Sequence, residues 1–226
     1  GQRIRIAGAP ELFATQITIL RREQGRLEEL LAANTTLYRH HPSPSARILH
    51  VWGVAEIGGR EEEARVRLAE AIEADVASLP LQATGVANAA LLARAAFLLC
   101  DARPAAALRA VLLPHRDRVV LRGTVAAHGP GAYFLALLAW TEARDAEVQP
   151  LFEAALDHCR SMRASLWRAH VESDFARWLW QRGSEVDRVR ARRLATRAAR
   201  SATSIGARAV ARSAESLLGE IGAAPR

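Results

Sequence analysis

His158 and Cys159 stand side by side in a run that reads as a helix, and that adjacency decides what they can do. Consecutive helical side chains point about 100° apart, so the two cannot act as nucleophile and base, and Cys159 reads as a structural thiol. His40 and His41 precede Pro42 at a helix end, where neighbouring side chains diverge and an imidazolium complements the helix C-terminus. His170 and Asp174 are one turn apart, the spacing of a surface helical pair. Tyr133 and Glu142 carry no acid–base pattern, and no HExxH zinc spacing occurs. Cys100 and Cys159 lack the spacing of a disulfide framework or zinc site, and both read as reduced, inert thiols on the apolar sides of helices. The expectation is a protein with no catalytic residue, metal or cofactor.

The formal charge is +7 at pH 7, and every one of the 31 basic side chains is arginine. Arg188, Arg190, Arg192, Arg193, Arg197, Arg200, Arg208 and Arg212 crowd the C-terminal region. They spread around the helix and no aromatic residue interleaves with them, so they read as a solvated face or one that meets an acidic neighbouring domain. A phosphate grip, and with it a basic nucleic-acid-binding domain, is the alternative. Trp140, Trp167, Trp178 and Trp180 read mainly as packing between successive helices. Trp178 and Trp180 are about 200° apart on one helix, so one of them faces a groove or a partner.

Half of the residues are apolar, enough for one packed domain over residues 1–226. Arg94 and Asp101 bound the most apolar run, which is shorter than the roughly 18 residues a membrane span needs. A cytoplasmic setting is expected, and a start without Met reads as a piece of a longer chain. Apolar residues recur three and four apart in Leu27–Leu37, Ala64–Ile72, Leu91–Leu99, Phe134–Trp140, Phe152–Cys159, Phe175–Leu179, Leu194–Ala202 and Val210–Leu218. Ser43 before Pro44, the acids Glu61 to Glu63, and Ser184 with Asp187 mark helix starts. Pro150 predicts a late or irregular start for the helix that holds Phe152. Only Arg118–Val125 looks extended, and His115–Gly129 is expected to form an excursion at the rim.

A helical pair repeats. Gly25 precedes Pro42 by 17 residues and Gly59 by 34, the spacings of the turn glycine, the closing proline and the period of a tetratricopeptide repeat. The small–large–small triplet Ala64, Leu68, Ala71 recurs as Ala106, Ala110, Leu113, as Val148, Phe152, Ala155 and as Ala191, Ala195, Ala198. One such pair cannot bury its own apolar face and must stack on the next. The expected fold is all-α: a tetratricopeptide-like right-handed superhelix, or α-solenoid, of about five antiparallel helix pairs. A closing helix over 206–222 is expected to set Ala207, Val210, Ala211, Ala214 and Leu218 against Leu194, Ala198 and Ala202.

The segments Leu20–Leu31 (LRREQGRLEELL), Ala77–Pro80 (ASLP), Gly131–Ala139 (GAYFLALLA), Leu151–Leu156 (LFEAAL), Asp174–Gly183 (DFARWLWQRG) and Arg190–Leu217 follow one another in a recognisable order. They resemble the tetratricopeptide-type C-terminal half of large bacterial regulators. In those chains a nucleotide cyclase or a LuxR-type DNA-binding domain is joined to a signal-transduction ATPase and a helical array. This chain has no Gly-rich phosphate loop and no lysine to complete one, so the ATPase is not in it. Nothing matches a cyclase or a helix-turn-helix. The resemblance therefore implies a sensor and docking array that binds a protein, a peptide or a small-molecule inducer and passes its state to an ATPase elsewhere in the full chain.

By the same resemblance, the first helix of each pair lines a concave wall. Carried over residue by residue, the fourth pair offers Tyr133, Leu137 and Trp140, and the fifth His170, Ser173, Arg177, Trp180 and Gln181. Earlier pairs offer mainly Leu49, Ala95 and Leu98. The C-terminal half of the wall is thus the expected site, with Arg177 recognising an acidic group and Tyr133 and Trp180 supplying contact area; the alternative is that Trp180 is buried between repeats and Arg177 pairs with a local acid such as Glu172 or Asp174.

Overall fold

The computed structural model describes residues 9–40 and 43–223. Helices α1 (Ala9–Glu23), α2 (Leu31–His40), α3 (Pro44–Ile57), α4 (Glu61–Asp75), α5 (Gly85–Leu98) and α6 (Ala105–Leu112) lead into a hairpin of strands β1 (Val119–Arg122) and β2 (Ala126–Pro130). Helices α7 (Gly131–Thr141), α8 (Asp145–Ser161), α9 (Ser165–Arg182), α10 (Glu185–Ser204) and α11 (Arg208–Ala223) follow. Apart from the hairpin, the described fold is all-α. No helix among the described residues is long and apolar enough to cross a membrane.

The helix starts have local causes. Ser43 accepts the Ala46 amide at 3.2 Å with Pro44 in the first turn, where its missing N–H is not needed. Ser184 accepts the Asp187 amide at 3.1 Å and donates to its carboxylate at 2.7 Å. The Glu61 carboxylate accepts the Gly59 amide at 2.8 Å. Pro150 does not delay α8, which begins at Asp145 and runs through it. The five residues preceding Pro150 in the helix include the acids Asp145 and Glu147, which favour the N-terminus, and the lost hydrogen bond falls near the helix start. His40 ends α2 exposed to solvent, while His41 and Pro42 lie outside the described residues.

Each odd-numbered helix packs on the next even one where contacts are extensive: α3 on α4, α5 on α6, α7 on α8 and α9 on α10. Odd helices also pack on one another, α1 on α3, α3 on α5, α5 on α7 and α9 on α11. The last helix then meets the first, since α11 touches α1. At that seam Gly25 takes φ +68°, and the Arg212 guanidinium fills the space a Cβ would need.

The core is aliphatic and alanine-rich, with Trp178, Tyr133, Phe152 and Phe175 its largest enclosed side chains. Phe152 of α8 stacks on Phe175 of α9 at 5.0 Å. Three of the four triplets face this core: Ala64, Leu68 and Ala71; Val148, Phe152 and Ala155; Ala191, Ala195 and Ala198. The second triplet is corrected. Ala106, Ala110 and Leu113 are exposed, and the stripe that α6 buries is Ala105, Leu108 and Leu112. An eight-residue helix with apolar residues on both sides leaves its facing ambiguous to a pattern search.

The segment expected to leave the helical pattern forms the antiparallel hairpin, with an irregular register between Val120 and Leu121. Arg122 ties it down. Its guanidinium is buried and donates to Asn88 Oδ1 of α5 at 2.6 Å, with no carboxylate beside it among the described residues, and burial lowers its pKa to about 10. Cys159 is enclosed and burial pushes its thiol up to about 12. Cys100 is a correction: it sits in the turn after α5, exposed and at φ +51°, because the helix has already ended at Leu98. Along α11, Ala207, Val210 and Ala211 pack with Ala202, and Ala214 packs with Ala198 and Ala199. Leu194 joins the main core instead.

Candidate functional site

Charged residues inside otherwise apolar helices need partners, and here they find one another across the odd-numbered helices. Glu56 closes the apolar helix α3, and Arg94 is the lone charge in α5. Arg22 of α1 donates to Glu56 Oε1 from Nε at 3.0 Å and Nη2 at 2.7 Å. Arg94 donates to the same oxygen from Nε at 3.2 Å and to Asp174 Oδ2 of α9 from Nη1 at 2.7 Å. The Tyr133 hydroxyl of α7 donates to Asp174 Oδ2 at 2.6 Å. At the other end Arg22 Nη1 donates to Glu23 Oε1 at 2.8 Å, and His170 Nε2 lies 2.9 Å from Glu23 Oε2.

The geometry assigns the imidazole proton. Nε2 beside a carboxylate must carry it, so His170 donates to Glu23, and its 3.0 Å approach to Arg22 Nη1 sets two donors together on one acceptor. One chain of contacts, His170–Glu23–Arg22–Glu56–Arg94–Asp174–Tyr133, thus joins α1, α3, α5, α7 and α9. Burial alone would raise Glu23 and Glu56, yet His170 and Arg22 hold Glu23 down at about 2, and Arg22 and Arg94 do the same for Glu56. Burial works to lower Arg94, but Asp174, Tyr133 and Glu56 raise it well above its ordinary value. Burial raises the Tyr133 phenol, which stays a donor.

Three carboxylates face two guanidiniums in this chain, and a cavity of about 270 Å³ opens on it. Arg22, Glu56, Arg94, His170, Ser173 and Asp174 form the wall, and Arg212 and Ser213 of α11 stand opposite. Ser173 and Ser213 approach to 3.5 Å across it. Glu56 Oε2 and Asp174 Oδ1 have no hydrogen-bond partner among the described residues and remain acceptors for whatever enters. This arrangement can bind and orient a small polar group. Among the described residues no cluster of His, Cys, Asp and Glu suits a metal ion.

Of the eight residues expected on the wall, three converge here: His170 and Ser173 line the cavity and Tyr133 reaches it through Asp174. Leu137 is fully enclosed in the core. Trp140 packs on Phe97 at 4.8 Å. Arg177 pairs with Glu220 of α11 at 3.2 Å. Trp180 is half-buried beneath Arg188, while Trp178 on the other side of α9 is buried, and Gln181 is exposed. His170 and Asp174 are not a surface pair, as expected from their spacing, because both are buried and each takes its partner from another helix. The earlier pairs contribute Glu56 and Arg94 rather than Leu49 and Ala95, which are buried in the core.

In the arginine-rich C-terminal stretch, Arg190 pairs with Glu153 at 2.8 Å and Arg197 with Glu172 at 3.1 Å. Arg192, Arg193, Arg200 and Arg208 are exposed, with no carboxylate at ion-pair distance among the described residues. Comparison with protein-family models, with curated proteins and with solved structures finds no match.

Proposed function

We propose that this chain is a noncatalytic ligand- or protein-binding domain, a tetratricopeptide-like superhelix serving as the sensor and docking array of a bacterial signalling or transcription-regulating protein. Its partner is a protein, a peptide or a small-molecule inducer, and its output goes to an ATPase elsewhere in a cytoplasmic multidomain chain. The observation that carries this reading is the cavity beside the buried charge chain. Acceptor oxygens on Glu56 and Asp174 and the Ser173 and Ser213 hydroxyls converge there from α3, α9 and α11, with Arg212 also in the lining. No cysteine lines that cavity, and its histidine is held against Glu23, which supports binding over turnover. The resemblance of the segment order to regulator C-terminal halves supports the setting.

Thermal-shift titration of the chain with a panel of amino acids, oligosaccharides and nucleotides tests it. At a ligand concentration about 100-fold above its Kd, stabilisation of about 2.7 kcal/mol is expected. It should vanish in Ser173→Trp, which fills the cavity. Turnover of any panel member that is lost on replacing one polar residue would overturn the noncatalytic reading. The unpaired Arg192, Arg193 and Arg200 favour the alternative of nucleic-acid binding, which predicts DNA or RNA affinity falling steeply with salt and removed by replacing those three.

A further inference from the structure

Helix α1 is inside out. It turns Thr15, Thr18, Arg22 and Glu23 into the protein, each less than a tenth exposed, and leaves Leu12, Phe13 and Leu20 at 44%, 66% and 49% exposure. A helix that buries its polar stripe and shows its apolar one has a second surface to account for. Leu12, Phe13, Gln16 and Leu20 recur at helical spacing, so they form one stripe. That stripe runs into a cavity of about 900 Å³, distinct from the one on the charge chain and separated from it by the Glu23–His170 contact.

The walls of this cavity are mostly apolar: Ile19 and Leu20 of α1, Val125 of the hairpin turn, Leu166 at the start of α9, and Ile205 before α11. Its polar groups are few and unequal. Glu23 is already claimed by His170 and Arg22, Gln24 accepts from Arg21 at 2.6 Å, and Arg26 shares Glu29 at 2.5 Å. Arg208, the first residue of α11, lines the cavity with no carboxylate at ion-pair distance among the described residues. The cavity therefore offers an apolar body one uncommitted guanidinium, with the Gln16 and Gln24 amides as the neutral polar side chains among the residues that line it.

We propose that this cavity binds a small amphipathic anion, an aromatic or aliphatic body carrying one carboxylate or sulfonate, with Arg208 holding the anionic head and Leu20, Leu166 and Ile205 enclosing the body. Glu23, already held by His170 and Arg22, also lines this cavity. The site is separate from the cavity on the charge chain, and either assignment can fail without the other.

Fluorescence titration with 1-anilinonaphthalene-8-sulfonate, set against uncharged N-phenyl-1-naphthylamine, tests the assignment on the whole chain. Both probes should bind at a single saturable site. Arg208→Gln should weaken the sulfonate about tenfold, the scale of one charge-assisted contact, and change the uncharged probe by less than about twofold. Leu20→Glu, at an exposed position that folding tolerates, should abolish both, and Arg192→Gln, a charge-matched change on the outside of α10, should alter neither. Circular dichroism confirms that each variant is folded. Binding that survives Leu20→Glu, an equal loss of both probes in Arg208→Gln, or an equal effect of Arg192→Gln would overturn the proposal. Capture of an apolar peptide helix by the stripe with no small-molecule binding would overturn it as well.

Discussion

His170 and Glu23 are 147 residues apart in sequence, yet His170 Nε2 donates to Glu23 Oε2 across 2.9 Å of protein interior. The contact fastens the first helix to the ninth, and Arg22 beside it fastens the first to the third. Burying charges is unfavourable in itself, so the set is stable only while it is complete.

Glu23→Gln should therefore destabilise the protein by about 3 kcal/mol, because it leaves Arg22 and His170 enclosed without their anion. The urea midpoint gives the size of the loss. Hydrogen exchange should show it concentrated in α1. A loss below about 0.5 kcal/mol, the level of a solvent-exposed pair, would contradict the burial argument.

Acid should unfold the protein in two stages. Burial, then the nearby Arg122 and Arg22, depress His128 from 6.5 to about 3, so the unfolded chain takes up a proton that the native one refuses. Stability is complete above about pH 6.5 and falls as pH drops below it, by about 3 kcal/mol near pH 4. Glu23 and Glu56, held at about 2 against an ordinary 4.5, add a second loss as pH falls from about 4.5 toward 2. Urea midpoints across that range should show both losses, and His128→Leu should reduce the first, to which His50, also lowered by burial, contributes, and spare the second.

Two glycines inside helices should answer alanine with opposite signs. At Gly85 a Cβ would overlap the Leu79 carbonyl, part of the backbone that cannot swing aside. Gly85→Ala should cost about 2 kcal/mol or more. At Gly53, within α3, a Cβ meets nothing within 4 Å, so Gly53→Ala should stabilise by about 0.5 to 1 kcal/mol through lost freedom of the unfolded chain. Thermal melts of the two variants check both.

Thiol labelling should separate the cysteines. Cys100, exposed in its turn, should react with Ellman's reagent in the native protein, whereas Cys159, buried and pushed up to about 12, should react only on unfolding. Two thiols released together in native buffer would contradict the burial of Cys159.

Local signals carried the helices. Ser43–Pro44 and Ser184–Asp187 start α3 and α10 where their side chains said they would, because caps act within one turn. The extended look of Val119–Arg122 came from β-branched residues in alternation, which is also local. Facing was harder: α6 buries Ala105, Leu108 and Leu112 rather than their neighbours, since only tertiary packing chooses between two apolar sides. The charge chain was the least legible part. Arg22, Glu56, Arg94 and Asp174 meet partners 34 to 80 positions away, and no spacing rule connects them. One signal was present. Arg94 is the only charge in Gly85–Leu98, and a lone arginine in a helix that is apolar on every side demands a buried anion from another part of the chain. His170 and Ser173 were reached by repeat register, Tyr133 likewise, while Arg177, expected to recognise an acidic group of a ligand, is paired with Glu220 of α11.

The meeting of α11 with α1 changes how the described helices can come apart. A row of stacked helical pairs with two open ends frays from either end, since each terminal unit has a single neighbour to hold it. Here the Arg212 guanidinium lies over Gly25 and the Glu23–His170 and Arg22–Glu56 contacts bind the first helix to the ninth and third. Among the described residues, lifting α1 therefore breaks contacts with α3, α9 and α11 at once. The described helices are a closed circuit, and a circuit opens at its weakest joint or not at all.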